Sequence, residues 1–225
     1  MLQINHFKKE YHGHLILDIS ELIIPKGVSW FQGVNGSGKS TFFKAISGII
    51  PFEGEVVFEG KLNLLKEPVE FRRIINYSFA EPRFPDYLSG KDILEYYFKI
   101  YKTDFDEIKN WLELFGVETF YKKPISTYSS GMLKKISLIT ALIGDANILA
   151  LDEPLTTIDK ASQEKLLGIL AQKVKEGVHI LIASHHNLPE SELKIDQHFL
   201  VENQTIIRQS LDAELLVSNI KHTAI

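Results

Sequence analysis

The chain has 225 residues, of which 44% are hydrophobic, 24% charged and 11% aromatic. This length allows one large domain or two small ones, with a core that needs no cross-links. The absence of cysteine excludes disulfides, thiolate metal sites and cysteine nucleophiles, and it fits a reducing compartment. The net charge of −4 is not that of a protein that coats nucleic acid, so no nucleic-acid partner is expected.

No stretch of the sequence has the pattern of a membrane-targeting or membrane-spanning segment. The charged residues near the N-terminus are followed by no apolar run, so no signal peptide is expected. The most apolar long stretch, Ile136 to Leu151, is interrupted by Asp145 and Asn147. It falls short of the roughly 18 uninterrupted apolar residues that a membrane span requires. A soluble, cytoplasmic protein is expected.

The first part of the chain alternates short apolar runs with turn residues. The runs Leu15–Leu17 and Leu22–Ile24 predict antiparallel strands joined by tight turns. The run Val28–Gln32 predicts a strand that leads directly into a glycine-rich loop, and a helix is predicted from about Lys39 to Ile46. Alternating residues predict a further strand over Glu55–Glu59.

Helical patterns dominate from about position 82 to position 135. Ser89 is a suitable N-cap for a helix with apolar residues on one face, and a second helix is predicted around 111–115. The runs Ile148–Leu151 and Ile180–Ala183 then follow, and continuous apolar runs are typical of buried parallel strands. The pattern predicts a strand-rich lobe, a helical insert and a return to the first lobe.

The glycine-rich loop matches the full P-loop pattern, Gly-x-x-x-x-Gly-Lys-Ser, and lies between a predicted strand and a predicted helix. Glycines let backbone N–H groups surround phosphate oxygens, and the helix N-terminus favours the negative charge. Lys39 is predicted to neutralise the β- and γ-phosphates of a nucleotide, and the Ser40 hydroxyl to bind Mg²⁺. The residues predicted to contact the nucleotide here are Gly33, Val34, Asn35, Gly36, Ser37, Gly38, Lys39, Ser40 and Thr41.

Two adjacent carboxylates, Asp152 and Glu153, come directly after the apolar run 148–151. Carboxylates at the end of a buried strand need a partner or a chemical task. Asp152 is predicted to hold Mg²⁺, and Glu153 to be the general base for an attacking water molecule. The alternative is an ordinary polar strand end before Pro154, which the P-loop in the same chain makes less favoured.

Further motifs follow in a recognisable order. The run Tyr128–Met132 precedes an apolar helix and resembles the signature motif of ATP-binding cassette (ABC) ATPases. Thr157-Ile158-Asp159 resembles the D-loop of that family, and Ser184-His185 resembles its switch histidine. Tyr11 suits the family's adenine-stacking aromatic residue, with a surface tyrosine in an edge strand as the alternative.

The resemblance implies an α/β fold, namely a P-loop NTPase with a RecA-like core, an antiparallel β subdomain and an inserted α-helical subdomain. The single domain 1–225 would comprise a catalytic lobe (1–80 and 136–225, with the β subdomain) and a helical insert (81–135) that carries the signature motif. The cofactors implied are ATP and Mg²⁺. The catalytic residues implied are Glu153, His185 and Lys39.

In the family, ATP closes two ATPase copies head to tail, and hydrolysis reopens them. A second copy, or a homologous ATPase subunit, would therefore present its signature residues to the γ-phosphate. Asp159 would help to couple the two sites, and His185 would orient the catalytic water through Glu153. The implied signature residues are Ser129, Ser130, Gly131 and Met132.

The chain departs from the family at the join into the helical insert, where the family has a glutamine. Residues 77–82 occupy that place and contain no glutamine. Glu81 is predicted to give an oxygen to Mg²⁺ or to its water in place of the glutamine. The alternative is that Ala80 fills the position and Glu81 is a solvated hinge residue.

The function implied is that of the ATP-hydrolysing subunit of an ABC transporter. Without a span of its own, it would dock through Phe84 and Tyr87 on integral membrane permease subunits, at the cytoplasmic face of the membrane. The Tyr-Ser-x-Gly-Met form of the signature favours an export-type system, whereas the substrate is set by the permease and is not readable here.

Three other functions fit less well. A soluble ABC protein acting on ribosomes usually carries two cassettes, and a chromosome or DNA-repair ATPase of this superfamily has long heptad segments. Neither pattern is present. A P-loop kinase or GTPase leaves Tyr128–Met132 and Ser184-His185 without an explanation.

Overall fold

A computed structural model describes residues 1–103, 105–189 and 192–210, without the side chains of 105–108. Within these residues the strands are β1 (Leu2–Tyr11), β2 (His14–Ile24), β3 (Val28–Gln32), β4 (Glu53–Phe58), β5 (Leu62–Asn63), β6 (Ile75–Ser78), β7 (Ile148–Asp152), β8 (His179–Ser184), β9 (Gln197–Glu202) and β10 (Thr205–Gln209). The helices are α1 (Lys39–Ile46), α2 (Pro68–Ile74), α3 (Gly90–Tyr101), α4 (Phe105–Phe115), α5 (Ser130–Leu142) and α6 (Lys160–Lys175).

The larger sheet has six strands in the order β10-β9-β3-β8-β7-β6. All of its pairs are parallel except β9–β10, which is antiparallel. The predicted strands at 148–151 and 180–183 are confirmed as the parallel neighbours β7 and β8. Because the carboxyl ends of parallel strands meet at one edge, Gln32, Asp152 and Ser184 end their strands on the same side of the sheet.

The smaller sheet is antiparallel, with the order β2-β1-β4-β5. The apolar runs Leu15–Leu17 and Leu22–Ile24 lie in the single strand β2, whose partner is β1, so the prediction of separate strands there is wrong. The residues between the runs do not form a turn, because β2 stays paired with β1 through them, and β2 is an edge strand of this sheet. Its polar residues face solvent while Leu17 and Ile19 are buried.

The predicted helices α1, α3 and α4 are all present. Ser89 caps α3 as predicted, since its hydroxyl accepts a hydrogen bond from the Asp92 N–H at 3.2 Å. The Asp92 carboxylate in turn accepts from the Ser89 N–H at 2.8 Å, which completes a capping box. Helix α5 runs from Ser130 to Leu142 and so crosses the predicted lobe boundary at 135/136. The division into lobes stays a prediction.

Two apolar clusters cover the two faces of the six-stranded sheet. Trp30 and Leu149 point into the cluster formed with the helices of the second half of the chain. Their neighbours Phe31 and Ile148 point into the cluster formed with α1 and the smaller sheet. Each central strand is therefore buried on both faces. In the described part of the chain, no helix has both the length and the apolar character that crossing a membrane requires.

Candidate nucleotide site

The glycine-rich loop, residues 33–38, joins the end of β3 to the start of α1. Gly36 and Gly38 have φ values of 83° and 105°, in the left-handed region that glycine adopts most easily. A Cβ on Gly33 would lie 2.5 Å from the Val201 carbonyl oxygen, so only glycine fits there. The loop conformation that a phosphate would meet therefore depends on these three glycines.

Lys39 lies across this loop. Its Nζ donates hydrogen bonds to the carbonyl oxygens of Gly33 at 2.6 Å and Val34 at 3.0 Å, and the side chain is buried. Burial lowers the pKa of Lys39, and the carboxylates of Glu153 and Asp152 act in the opposite direction. The ammonium is thus held at the place where phosphate oxygens would compete with the two carbonyls.

Asp152 is fully buried at the end of β7. Its Oδ2 accepts a hydrogen bond from the Tyr77 hydroxyl at 2.9 Å, whereas Oδ1 has no hydrogen-bond partner. Burial raises the pKa of Asp152, and the Ser40 and Tyr77 hydroxyls favour the charged carboxylate. An unpaired buried carboxylate oxygen beside a serine hydroxyl is a donor set that fits Mg²⁺.

Tyr77 was not among the residues predicted for the site. Burial and the charge of Asp152 raise the pKa of its hydroxyl, so the group remains a hydrogen-bond donor to the carboxylate. The sequence gives no signal for this role, because the contact joins the neighbouring strands β6 and β7 across a separation of 75 residues.

Glu153 follows Asp152 with a φ of 47°, which turns its side chain away from the strand direction. Its Oε1 accepts from the backbone N–H of His185 at 3.0 Å and lies 2.8 Å from His185 Nδ1. The second oxygen, Oε2, is buried without a partner. Lys39 Nζ lies 4.0 Å from Oε1. The structure thus brings together three of the predicted residues, Lys39, Glu153 and His185, and leaves one carboxylate oxygen without a hydrogen-bond partner.

A cavity of about 620 Å³ lies over the glycine-rich loop. Glu153, Thr157 and His185 line it. Of the predicted nucleotide-contact residues of the loop and α1, those that line it are Asn35, Gly36, Gly38, Lys39, Ser40 and Thr41, whereas Gly33, Val34 and Ser37 are not among its lining residues. A second cavity, of about 460 Å³, is lined by Ser40 and Asp152 among others. Ala80 and Glu81 line both cavities, so both candidates for the missing glutamine are at the site.

Tyr11 is not among the described residues that line either cavity. It ends β1 opposite His14, is 42% exposed, and has Lys9 Nζ 4.6 Å from its ring centre. Ile16 of β2 forms the cavity wall instead. The stacking of Tyr11 on adenine stays a prediction.

The run Tyr128–Met132 does not line the cavity over the chain's own loop. Ser129 caps α5, and its hydroxyl accepts from the Met132 N–H at 3.3 Å. A Cβ on Gly131 would lie 2.5 Å from the Thr157 carbonyl oxygen. The signature run and the D-loop are therefore packed against each other within one chain.

Asp159 caps α6 and fastens the D-loop to α5. Its carboxylate accepts from the Ser162 N–H at 2.9 Å and lies 2.7 Å from Lys135 Nζ. Hydrogen bonds from Lys135 and Ser162 hold the pKa of Asp159 far below its usual range. The coupling role predicted for Asp159 stays a prediction, and its contact with α5 is compatible with that role.

The parallel sheet, the glycine-rich loop between β3 and α1 and the acidic pair after β7 define a P-loop nucleotide-binding protein. A family model described as "ABC transporter" matches residues 18–156. The chain belongs to the ABC transporter family and is of its ATP-binding subunit type. The resemblance drawn from the motifs is confirmed, and the kinase or GTPase alternative is wrong.

Curated relatives include ATP-binding proteins of several transport systems. The chain is 30% identical over 216 residues to the spermidine/putrescine import ATP-binding protein PotA of Spiroplasma citri, over 93% of this chain and 61% of PotA. It is 29% identical over 214 residues to the lantibiotic transport ATP-binding protein SrtF of Streptococcus pyogenes, over 94% of this chain and 92% of SrtF. It thus spans less than two thirds of PotA but nearly all of SrtF.

Solved structures confirm the fold. An ATP-binding subunit of an ABC transporter superposes with a TM-score of 0.83 at 20% identity, covering 99% of this chain and 95% of the other. A post-hydrolysis dimer of the ATP-binding cassette MJ0796 with ADP and Pi has a TM-score of 0.77 at 20% identity, covering 94% and 99%. The predicted fold class is confirmed.

Proposed function

We propose that the chain binds and hydrolyses ATP to power an export-type ABC transporter. The observation that carries the proposal is the meeting of Lys39, Glu153 and His185 at one cavity over the glycine-rich loop. The Tyr-Ser-x-Gly-Met form of the signature supports export, and the near end-to-end alignment with SrtF supports a role in transport.

In this proposal the loop holds the phosphates and Lys39 turns from two carbonyls to phosphate oxygens. Mg²⁺, held by Ser40 and Asp152, would neutralise charge that develops on the phosphates. His185 fixes one oxygen of Glu153 through its backbone N–H and its ring. The other oxygen, Oε2, is left to take the proton of the attacking water.

The signature run completes the site only from a second copy. Residues 128–132 do not line the cavity over their own loop, which is compatible with their helix N-terminus meeting the nucleotide of a partner. A second copy of this chain, or a homologous ATPase subunit, would bring Ser129 and Gly131 to the γ-phosphate. ATP would then close the pair, and hydrolysis would reopen it.

We expect the chain to dock on permease subunits at the start of the helical region, and this docking would hold it at the cytoplasmic face of the membrane. Tyr87 is 84% exposed, an unusual state for an aromatic side chain. Phe84, three residues earlier, is partly buried against the apolar core. When the permease is co-expressed, we expect the chain to sediment with membranes. The pair Phe84→Ala and Tyr87→Ser should release most of it into the supernatant.

Ile207→Ser is the matched control for this experiment, because Ile207 is an exposed apolar residue on β10, at the far edge of the sheet. It should leave sedimentation unchanged. Thermal unfolding of all variants shows whether loss of Phe84 has damaged the fold. A folded double variant that still sediments with membranes would contradict docking at this surface.

Glu81 is proposed as the residue that replaces the missing glutamine. It is exposed and lines both cavities, next to Ala80. A carboxylate there adds negative charge near the γ-phosphate, which is tolerable only while Mg²⁺ offsets it. We expect Glu81→Gln to remain active with a shallower dependence on Mg²⁺, and Glu81→Ala to lose much of its turnover.

ATPase rates measured against Mg²⁺ concentration separate the two candidates for this position. If Glu81 is only a solvated hinge residue, wild type, Glu81→Gln and Glu81→Ala will give the same curve. That result would remove Glu81 from the metal site.

A further inference from the structure

Lys134, on the second turn of α5, is a buried cation that no motif predicts. Its side chain is fully buried, and its Nζ donates to the carbonyl oxygens of Phe79 at 2.7 Å, Ala80 at 3.4 Å and Asp152 at 2.7 Å. An ammonium has three protons, and here each has a carbonyl partner. Burial lowers the pKa of Lys134 to about 8, against the opposing charges of Asp152 and Glu153.

The three carbonyls belong to two chain segments that no backbone hydrogen bond joins at this point. The parallel ladder between β6 and β7 ends at the pair Ser78–Leu151. Phe79 and Asp152 are the next residues on the two strands, and Lys134 bridges their carbonyl oxygens. The lysine therefore connects the two strands just beyond the last pair of the ladder. On one side of this connection is the join 79–81, and on the other is Asp152, whose carboxylate is proposed to bind Mg²⁺.

Anchoring α5 does not by itself require an ammonium at this place. The other end of α5 is held by a neutral group, since Asn76 Nδ2 donates to the carbonyls of Ala141 at 2.9 Å and Ile143 at 2.8 Å. A buried charge carries a large desolvation cost, and well-packed apolar residues often stabilise a protein as well or better. What the lysine adds is a direct connection of α5 to both the join 79–81 and the end of β7.

We propose that Lys134 is a positioning residue, which holds Asp152 and the join 79–81 in register and links both to the signature helix α5. The inference rests on the proposed function, in which Asp152 binds Mg²⁺ and the N-terminus of α5 contacts the nucleotide of a partner. Glu81 would supply the oxygen that the family's glutamine gives to the metal, whereas Lys134 would fix the position of the join itself through the carbonyls of Phe79 and Ala80.

The test compares nucleotide binding with saturating Mg²⁺ and with EDTA, using the non-hydrolysed analogue AMP-PNP. We expect Lys134→Met to reduce the gain in affinity that Mg²⁺ provides by about tenfold, the worth of one hydrogen bond to a charged group. Affinity in EDTA should change little, because Lys134 does not touch the glycine-rich loop. Lys134→Gln, which keeps two donor protons, should recover most of the gain.

Asn76→Ala is the matched control, since it removes two buried hydrogen bonds at the opposite end of the same helix, together with the one that Asn76 accepts from the Tyr101 hydroxyl. It should lower the melting temperature without changing the Mg²⁺ gain. If Lys134→Met and Lys134→Gln lose no more of the gain than Asn76→Ala, or wild type gains nothing from Mg²⁺, the positioning role is wrong. Failure of the wild type to bind AMP-PNP at all would overturn the proposed function and this inference with it.

Discussion

Replacing Glu153 by Gln should abolish steady-state ATP hydrolysis while leaving ATP binding intact. The amide keeps the size of the side chain, and its oxygen can still accept from the His185 N–H. It cannot take a proton from water at the position of the free oxygen Oε2. Loss of a general base lowers turnover by about a hundredfold to ten-thousandfold.

The same variant should trap the closed pair. With ATP and Mg²⁺, sedimentation velocity should show a dimer for Glu153→Gln, whereas the wild type should return to monomer as ATP is consumed. Glu176→Gln is a suitable control, because Glu176 is an exposed carboxylate at the end of α6. Hydrolysis by Glu153→Gln at a rate near that of the wild type would show that another group is the base.

Replacing Lys39 by Met should act at an earlier step and weaken nucleotide binding itself. The substitution removes the buried ammonium that would bind phosphate oxygens, and a hydrogen bond to a charged group is worth about 1.5–3 kcal/mol. We therefore expect ATP affinity to fall by about 10-fold to 150-fold, measured by titration calorimetry.

Lys61→Met is the matched control for Lys39→Met, because Lys61 is an exposed lysine in the turn between β4 and β5. It removes the same charge from the protein at a site away from the loop. Equal ATP affinity for the two variants would mean that Lys39 does not contact the phosphates.

Local signals were sufficient for the parts of the site that lie within single short segments. The glycine-rich loop, Asp152-Glu153 and the cap of α3 each depend on residues a few positions apart, and the structure forms the corresponding elements where expected. The continuous apolar runs also predicted β7 and β8 correctly, because strands buried on both faces need apolar residues at every position.

Contacts between distant segments could not be predicted in this way. In the sequence, Lys134 looks like the solvent-facing lysine of an ordinary helix, since its three carbonyl partners come from residues 18 to 55 positions away. The continuity of β2 was missed for a similar reason. The polar residues between its two apolar runs favour a turn when the sequence is considered alone. The structure shows instead that β2 pairs with β1 on both sides of these residues and through them.

The close packing of Gly131 against the Thr157 carbonyl has a consequence for the two nucleotides of a closed pair. Thr157 lines the cavity over its own loop, and its carbonyl oxygen lies 2.5 Å from the position that a Cβ of Gly131 would take. In a head-to-tail pair, Thr157 would thus line the nucleotide site of its own chain and also support the signature run that contacts the nucleotide of the partner. A displacement of Thr157 on nucleotide binding would shift that surface, so each half of the pair would respond to the occupancy of both sites.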